Sequence, residues 1–323
     1  MDFGVVIVCS EKDFGFAKGC LASVKYFMPE VEVCLLIDGN PDTKKLEEYY
    51  QVKILKKENI KNDFLRNNSF GFGITKMIAF WESPFEQFLV LDADICVWGD
   101  LRFAADFNNY DMIIDQPQYS YDSHGINTWF LDTTRLSSLD KDFKPEAYSN
   151  NYFCTGVFFT KKNVFPLEWY ESLYEFSKSE PNVFKFGEMG MLNYMIFKSS
   201  EQGRLKFKNQ HIQYICPDFD KAETANLFPF KENKPIIKEA LAIHYNGNRK
   251  PYLANDLSYH QPLTFFRALY YKQVHPELTG EEIKKIMARE DFPYARLTLR
   301  QKVYNNTPQP LKLIYKKIKG LFS

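Results

Sequence analysis

The sequence lacks an excess of either charge. Its 41 basic residues face 41 acidic ones over 323 positions, so the formal net charge is zero. That excludes a chain-wide basic footprint for nucleic acid. No two of the six cysteines (Cys9, Cys20, Cys34, Cys96, Cys154 and Cys216) form a C-x-x-C pair, which argues against a thiolate zinc site. Most of them sit inside apolar runs, where cysteine behaves as a small hydrophobe. The expected compartment is a reducing one. No apolar stretch approaches the ~18 residues of a spanning helix. The opening Met1-Asp2-Phe3-Gly4 has no basic region, and the apolar run behind it, Val5 to Cys9, is too short for a secretory signal. The expectation is a cytoplasmic protein. Internal repeats and low-complexity tracts are missing as well.

What is present is a globular composition, 45% hydrophobic and 25% charged, with a heavy aromatic load of 30 Phe, 20 Tyr and 4 Trp. At about 150 residues per domain the length suggests two domains, or one large α/β domain with an appendage. Val5 to Cys9 reads as a buried strand of a parallel sheet. Phe14 to Phe27 has helical spacing. Val33 to Ile37 and Val52 to Leu55 read as strands, with a charged helix over Asp42 to Tyr50 between them. Thr75 to Trp81 reads as helix, Phe88 to Leu91 as a fourth strand and Val157 to Thr160 as a later one. Val164 to Ser177 and Met189 to Phe197 read as helices, and Leu241 to Ile243 as a late short strand. This alternation predicts βαβ units. Residues 116 to 152 show no clean period and are expected to form a long irregular loop. Beyond residue 260 the chain turns helical, and Thr279 with Glu282 makes a capping box for a helix running to Glu290.

The strongest local signal is Phe88-Leu89-Val90-Leu91-Asp92-Ala93-Asp94. An apolar strand runs straight into two carboxylates. In open α/β sheets, ligands bind outside the carboxyl ends of strands. Two carboxylates there repel unless a cation lies between them, and Mg²⁺ or Mn²⁺ suits oxygen ligands. The alternative is an ordinary acidic turn. A second acidic pair, Asp218 and Asp220, has no long strand feeding it and reads as a solvated turn. The second signal is Ala242-Ile243-His244-Tyr245-Asn246-Gly247-Asn248-Arg249-Lys250-Pro251-Tyr252. His244 offers a metal ligand or a hydrogen-bonded core histidine. Gly247 permits close backbone approach, and Lys250 places a point charge that suits a phosphate.

Taken together, these segments resemble the retaining GT-A glycosyltransferases of the glycogenin and lipooligosaccharide galactosyltransferase type, the family 8 pattern. Val5 to Phe27 resembles the family's nucleotide-binding opening. Leu91-Asp92-Ala93-Asp94 followed by Gly99-Asp100-Leu101 looks like its L-D-x-D…G-D-L block. Cys154-Thr155-Gly156-Val157-Phe158 looks like its N-x-G-V strand, and His244 to Tyr252 like its H-x-x-G-x-x-K-P-W motif. The resemblance implies a GT-A fold: Rossmann-like, with a mostly parallel sheet flanked by helices and a C-terminal helical extension. It implies a catalytic domain over 1–260 and an extension over 261–323. It implies a UDP-sugar donor lying against Val8, Mn²⁺ or Mg²⁺ held by Asp92, Asp94 and His244, and a ribose touched by the D-x-D carboxylates. Gly247 and Lys250 would bind the diphosphate, Lys76 would be a basic donor-site residue, and Glu188 would bind sugar hydroxyls. Two positions depart from the family. Cys154 stands for its Asn, and Met189 stands for its polar amide in Glu188-Met189-Gly190-Met191-Leu192-Asn193. These departures leave the transferred sugar open.

Tyr119, Tyr121, Trp129, Tyr148 and Tyr152 could stack on an acceptor glycan or pack over the core, and His124 and Asp132 are further candidate contacts. No acidic residue follows Asp291, whereas Arg296, Arg300, Lys302, Lys312, Lys316, Lys317 and Lys319 do. Within 311–323, Leu311, Ile314, Tyr315, Ile318 and Phe322 form one apolar helical face with lysines away from it. That pattern suits the surface of an anionic membrane, or a helix docked on the body. The expectation is therefore peripheral membrane association and a lipid-linked or lipooligosaccharide acceptor. Two rivals remain. One is a non-catalytic glycan- or membrane-binding protein on this fold. The other is a sugar-nucleotide pyrophosphorylase, which Ser10-Glu11-Lys12-Asp13-Phe14-Gly15 disfavours because it is not a glycine-rich loop.

Overall fold

A computed structural model of the chain describes residues 3–71, 73–216, 221–247, 250–254 and 259–306, with side chains through residue 295. The element order is β1 (Phe3–Ser10), α1 (Phe14–Phe27), β2 (Glu32–Asp38), α2 (Lys44–Tyr50), β3 (Lys53–Leu55), α3 (Asp63–Asn68), α4 (Ala79–Glu82), β4 (Gln87–Asp92), β5 (Ile95–Trp98) and β6 (Met112–Asp115). There follow α5 (Ser123–Trp129), α6 (Thr133–Leu139), β7 (Val157–Lys161), α7 (Leu167–Ser179), α8 (Glu188–Glu201), β8 (Phe207–Gln210) and β9 (Gln213–Ile215). The chain then continues through α9 (Lys221–Leu227), β10 (Phe230–Lys231), β11 (Lys234–Pro235), β12 (Leu241–His244), α10 (Gln261–Val274) and α11 (Gly280–Asn306).

Seven strands form the main sheet in the order β3-β2-β1-β4-β7-β6-β8. All neighbours are parallel except those of β7, which runs against both β4 and β6. Strand side chains alternate between faces, and β1 shows why it reads as uniformly apolar. Val5, Ile7 and Cys9 enter one core with α1 and α10, while Val6 and Val8 enter the other with Leu192 and Ile196 of α8. A smaller sheet, β5-β12-β9, stands beside the first. It carries the chain from Asp94 into β5, and β12 brings His244 back opposite Ile95.

Several expectations change in detail. The loop expected over 116–152 contains α5 and α6, each seven residues long, and a 3₁₀ turn at Pro145–Tyr148. Helices this short show no repeat long enough to read as a period. Their starts are set by caps: Asp122 accepts from Gly125 N at 2.7 Å and Asp132 from Arg135 N at 3.1 Å. The helix expected over Thr75 to Trp81 is a 3₁₀ turn over Ile74–Ile78 running into α4. The capping box is present, with Thr279 N donating to Glu282 Oε2 at 2.8 Å and Glu282 N to Thr279 Oγ1 at 3.3 Å. Its helix does not stop at Glu290 but continues through Pro293 to Asn306. No cysteine pair is joined. Among the described residues, no helix is long and apolar enough to cross a membrane. The acidic pair Asp218 and Asp220, and the tail 311–323, lie outside the described residues.

Candidate active site

The sheet brings the two sequence signals to one point. Val8 and Asp92 are neighbours in register on β1 and β4. Asp92 N donates to Gly156 O at 3.0 Å, and Tyr245 N to Asp94 O at 3.1 Å, so backbone bonds set where both carboxylates emerge. One ligand atom each from Asp92, Asp94 and His244 lies within 4.8 Å of the others. Two hard oxygens and one imidazole nitrogen suit Mn²⁺ or Mg²⁺.

Two lysines, Lys76 buried and Lys250 half-buried, neutralise the carboxylates. Lys76, 2% exposed, pairs with Asp92 Oδ1 at 2.8 Å and Glu188 Oε1 at 3.0 Å, and donates to Thr155 O at 2.8 Å. Lys250 pairs with Asp94 Oδ2. Burial works against charge on each lysine, but the facing carboxylates outweigh it and hold both pKa values above the ordinary one. For Asp94, burial raises the pKa, yet Lys250 and then His244 pull it below the usual carboxylate value. His244 moves the other way. Burial lowers its pKa more than Asp94 and Asp92 raise it, which leaves the ring neutral and able to ligate at pH 7.

Glu188 opens α8 and is buried. Thr155 Oγ1 donates to its Oε1 at 2.9 Å, in addition to the Lys76 pair. Gly73 lies directly against this carboxylate. A Cβ there would meet Glu188 Oε2 at 1.9 Å, and its φ of +72° already favours glycine. Gly247 sits at φ +58° with open space around it, on the segment that leads to Lys250. Met189 packs partly buried beside the core, while Asn193 is fully buried and holds Phe153 N at 3.1 Å and Phe153 O at 3.1 Å.

Gln213 and Asp13 take part without having been singled out as site residues from the sequence, and they join Gly156 and Cys154 of the Cys154-to-Phe158 segment. Gln213 bonds His244 Nδ1 at 3.1 Å and Cys154 O at 2.9 Å. Gly156 lies under the imidazole, where a Cβ would come within 2.4 Å of Cε1. Asp13 faces Lys250, and burial raises its pKa more than Lys250 lowers it. Cys154 places Sγ 3.8 Å from His244 Nδ1, and burial pushes its pKa up to about 12, so it is an inert thiol here. Gly156 was legible inside Thr155-Gly156-Val157. Gln213 carries no local signal, since it is one polar residue in a three-residue strand.

The expected aromatic surface splits. Tyr152 is buried in the core, and the half-buried Tyr148 packs against it, stacked on Phe197 at 4.3 Å. Tyr119 and Trp129 remain exposed. Asp132 caps α6 and pairs with Arg135 at 3.4 Å, which gives it a structural role.

No family model matches the sequence. No curated protein matches it either. Solved structures do match by fold. The galactosyltransferase LgtC, in complex with donor and acceptor sugar analogs, superposes with a TM-score of 0.53 at 14% identity, over 86% of this chain and 98% of that one. An active-site mutant of LgtC gives 0.50 at 15% identity, over 87% and 100%. The glycosyltransferase GlyE of Streptococcus pneumoniae TIGR4 gives 0.50 at 16% identity, over 90% of this chain and 64% of that one. The chain therefore has the GT-A fold that these glycosyltransferases share.

Proposed function

We propose that the protein is a metal-dependent glycosyltransferase that moves a hexose from a UDP-sugar to a glycan acceptor with retention of anomeric configuration. The observation that carries this reading is the convergence of Asp92, Asp94 and His244 at the carboxyl edge of a GT-A sheet, with Lys76 and Lys250 paired to those two carboxylates. Asp92, Asp94 and His244 would hold Mn²⁺ or Mg²⁺, and the bound ion would supply Lewis acidity toward the departing diphosphate. With a cation neutralising Asp94, the Lys250 ammonium would serve the phosphates, where negative charge builds as the sugar leaves. The positive φ and open surroundings of Gly247 would let the backbone approach them. Val8 would lie against the nucleoside and Asp92 would also reach the ribose. Lys76 and Thr155 hold Glu188 as an oriented carboxylate, suited to accept hydrogen bonds from donor-sugar hydroxyls. Residues 1–260 would form the catalytic unit, and 261–323 an extension whose basic tail meets an anionic membrane carrying the acceptor. Met189 favours a second reading, a glycan-binding protein without catalysis, because its thioether offers no amide beneath an anomeric carbon.

Calorimetric titration of UDP-sugars with Mn²⁺ and with EDTA separates these readings. Metal-dependent binding of one UDP-sugar is expected. Asp94→Asn, which keeps the shape but removes the charge, should weaken it at least tenfold. Undiminished binding by that variant refutes the metal assignment, and binding without turnover supports the non-catalytic reading.

A further inference from the structure

A histidine ligates through an unprotonated ring nitrogen, and the hydrogen bond made by its other nitrogen selects which one that is. In this protein the selection traces to one amide. Gln213 of β9 is 2% exposed, and its Nε2 donates to the Cys154 carbonyl at 2.9 Å. A carbonyl oxygen only accepts, so the amide must turn its nitrogen toward residue 154. Its oxygen then faces the imidazole, and Oε1 lies 3.1 Å from His244 Nδ1. An amide oxygen also only accepts, so Nδ1 carries the hydrogen. The lone pair is left on Nε2, the nitrogen 3.7 Å from Asp94 Oδ1.

We propose that Gln213 is a positioning residue that holds His244 in the Nδ1–H tautomer and so makes Nε2 the ligating nitrogen. The proposal rests on the metal-site reading above. Gln213 is anchored independently of the ring it orients. Its N–H donates to Asp115 Oδ1 at 3.1 Å, and β9 pairs in register with β12, Gln213 opposite Ala242. Burial of both residues keeps water from substituting for the amide. Gly156 supports the ring from beneath, because a side chain there would displace it. The remaining neighbour of Nδ1, the Cys154 thiol at 3.8 Å, is too weak an acceptor to compete.

The test reads the tautomer directly. Long-range ¹⁵N–¹H spectra of the metal-free, full-length protein resolve the ring nitrogens of its five histidines, and His244→Ala assigns the one in question. The wild type should show Nδ1–H. Gln213→Leu removes the acceptor and should move the proton to Nε2, against Asp94. Mn²⁺ affinity, read by electron paramagnetic resonance of free ion, should fall 10–100-fold in that variant. Gln213→Glu keeps an acceptor for Nδ1 and should retain the wild-type tautomer. A simple structural tie between β9 and residue 154 would cost melting temperature without moving the proton. Wild-type protein with His244 as Nε2–H overturns the proposal outright, whether or not any variant folds. So does a Gln213→Leu protein that keeps Nδ1–H and binds Mn²⁺ within twofold of wild type. A wild type with the Nδ1–H form but no divalent-ion binding would instead sink the metal reading, so the two failures are distinguishable.

Discussion

Asp115 lies outside the Asp92, Asp94 and His244 cluster but bonds the backbone of Gln213, whose side chain bonds His244. It ends β6, and its Oδ1 accepts from the backbone N–H of both Ile212 and Gln213 at 3.1 Å. Burial raises its pKa to about 6 despite those bonds. The folded protein therefore holds a proton there that the unfolded chain releases near the ordinary value of 3.8. Stability linked to this group is fully present below that value and is lost as pH rises toward 6. The loss is about 2 kcal/mol between pH 4 and pH 7. Asp115→Asn keeps an oxygen for both amides and does not titrate. Urea denaturation of both proteins at several pH values should show the variant gaining on the wild type across that interval. Parallel pH profiles would refute the assignment. Asp115 stands four residues past Asp111 with no motif around it, so its burial was not legible from the sequence. Asp92 and Asp94 were, because an apolar run leads straight into them.

At the scale of elements, α10 and α11 reach the candidate donor site through a buried ionic cluster. Arg267 of α10 is fully buried and pairs with Asp291 at 2.7 Å and with Glu290 at 2.9 Å, both on α11. Lys18 of α1 joins Glu290 at 2.7 Å. The other oxygen of Asp291 accepts from Leu253 N at 2.8 Å, three residues beyond Lys250. Tyr294 of α11 bonds Asp13, which faces Lys250. Helix α11 therefore holds both sides of the segment that carries Lys250. Arg267→Met leaves the buried Asp291 without a cation while Glu290 keeps Lys18, and removing one partner of such a buried pair costs about 3–5 kcal/mol. Thermal melting should show that loss, and hydrogen exchange should show a faster Leu253 amide. A melting temperature like that of the wild type would mean that the cluster contributes no stability. The helices themselves were legible from capping and spacing, but Pro293 made the last one read short. Pro293 removes one backbone hydrogen bond from this helix, whose side chains Asp291 and Tyr294 on either side of it are held by Arg267 and Asp13.

The whole molecule is neutral, yet its charge is divided. All seven basic residues after Asp291 lie beyond the last acidic one. Each basic residue near an anionic surface contributes about 1 kcal/mol, and salt screens that attraction. Deleting 311–323 should therefore lower sedimentation with phosphatidylserine vesicles while leaving UDP-sugar binding unchanged. Equal sedimentation of the truncated protein would show that the tail does not serve as a membrane contact.

Local chemistry determined much of this protein directly. Runs such as Val5 to Cys9 and Phe88 to Leu91 have to be strands buried on two faces. Phe14 to Phe27 has to be a helix. A strand ending in Asp92-Ala93-Asp94 has to deliver charge at a sheet edge. Each of these depends on residues adjacent in sequence, where hydrophobic period and chain direction carry the information. Only the tertiary structure decided the rest. Gln213 meets His244 because two short strands pair, Gly156 lies under the imidazole because β7 runs against β4, and Lys76 is buried because Asp92 and Glu188 arrive from separate elements. Those contacts join residues tens to more than a hundred positions apart. A polar side chain in such a contact looks, in sequence, like any other until packing removes its water and leaves it only the partners that the fold supplies.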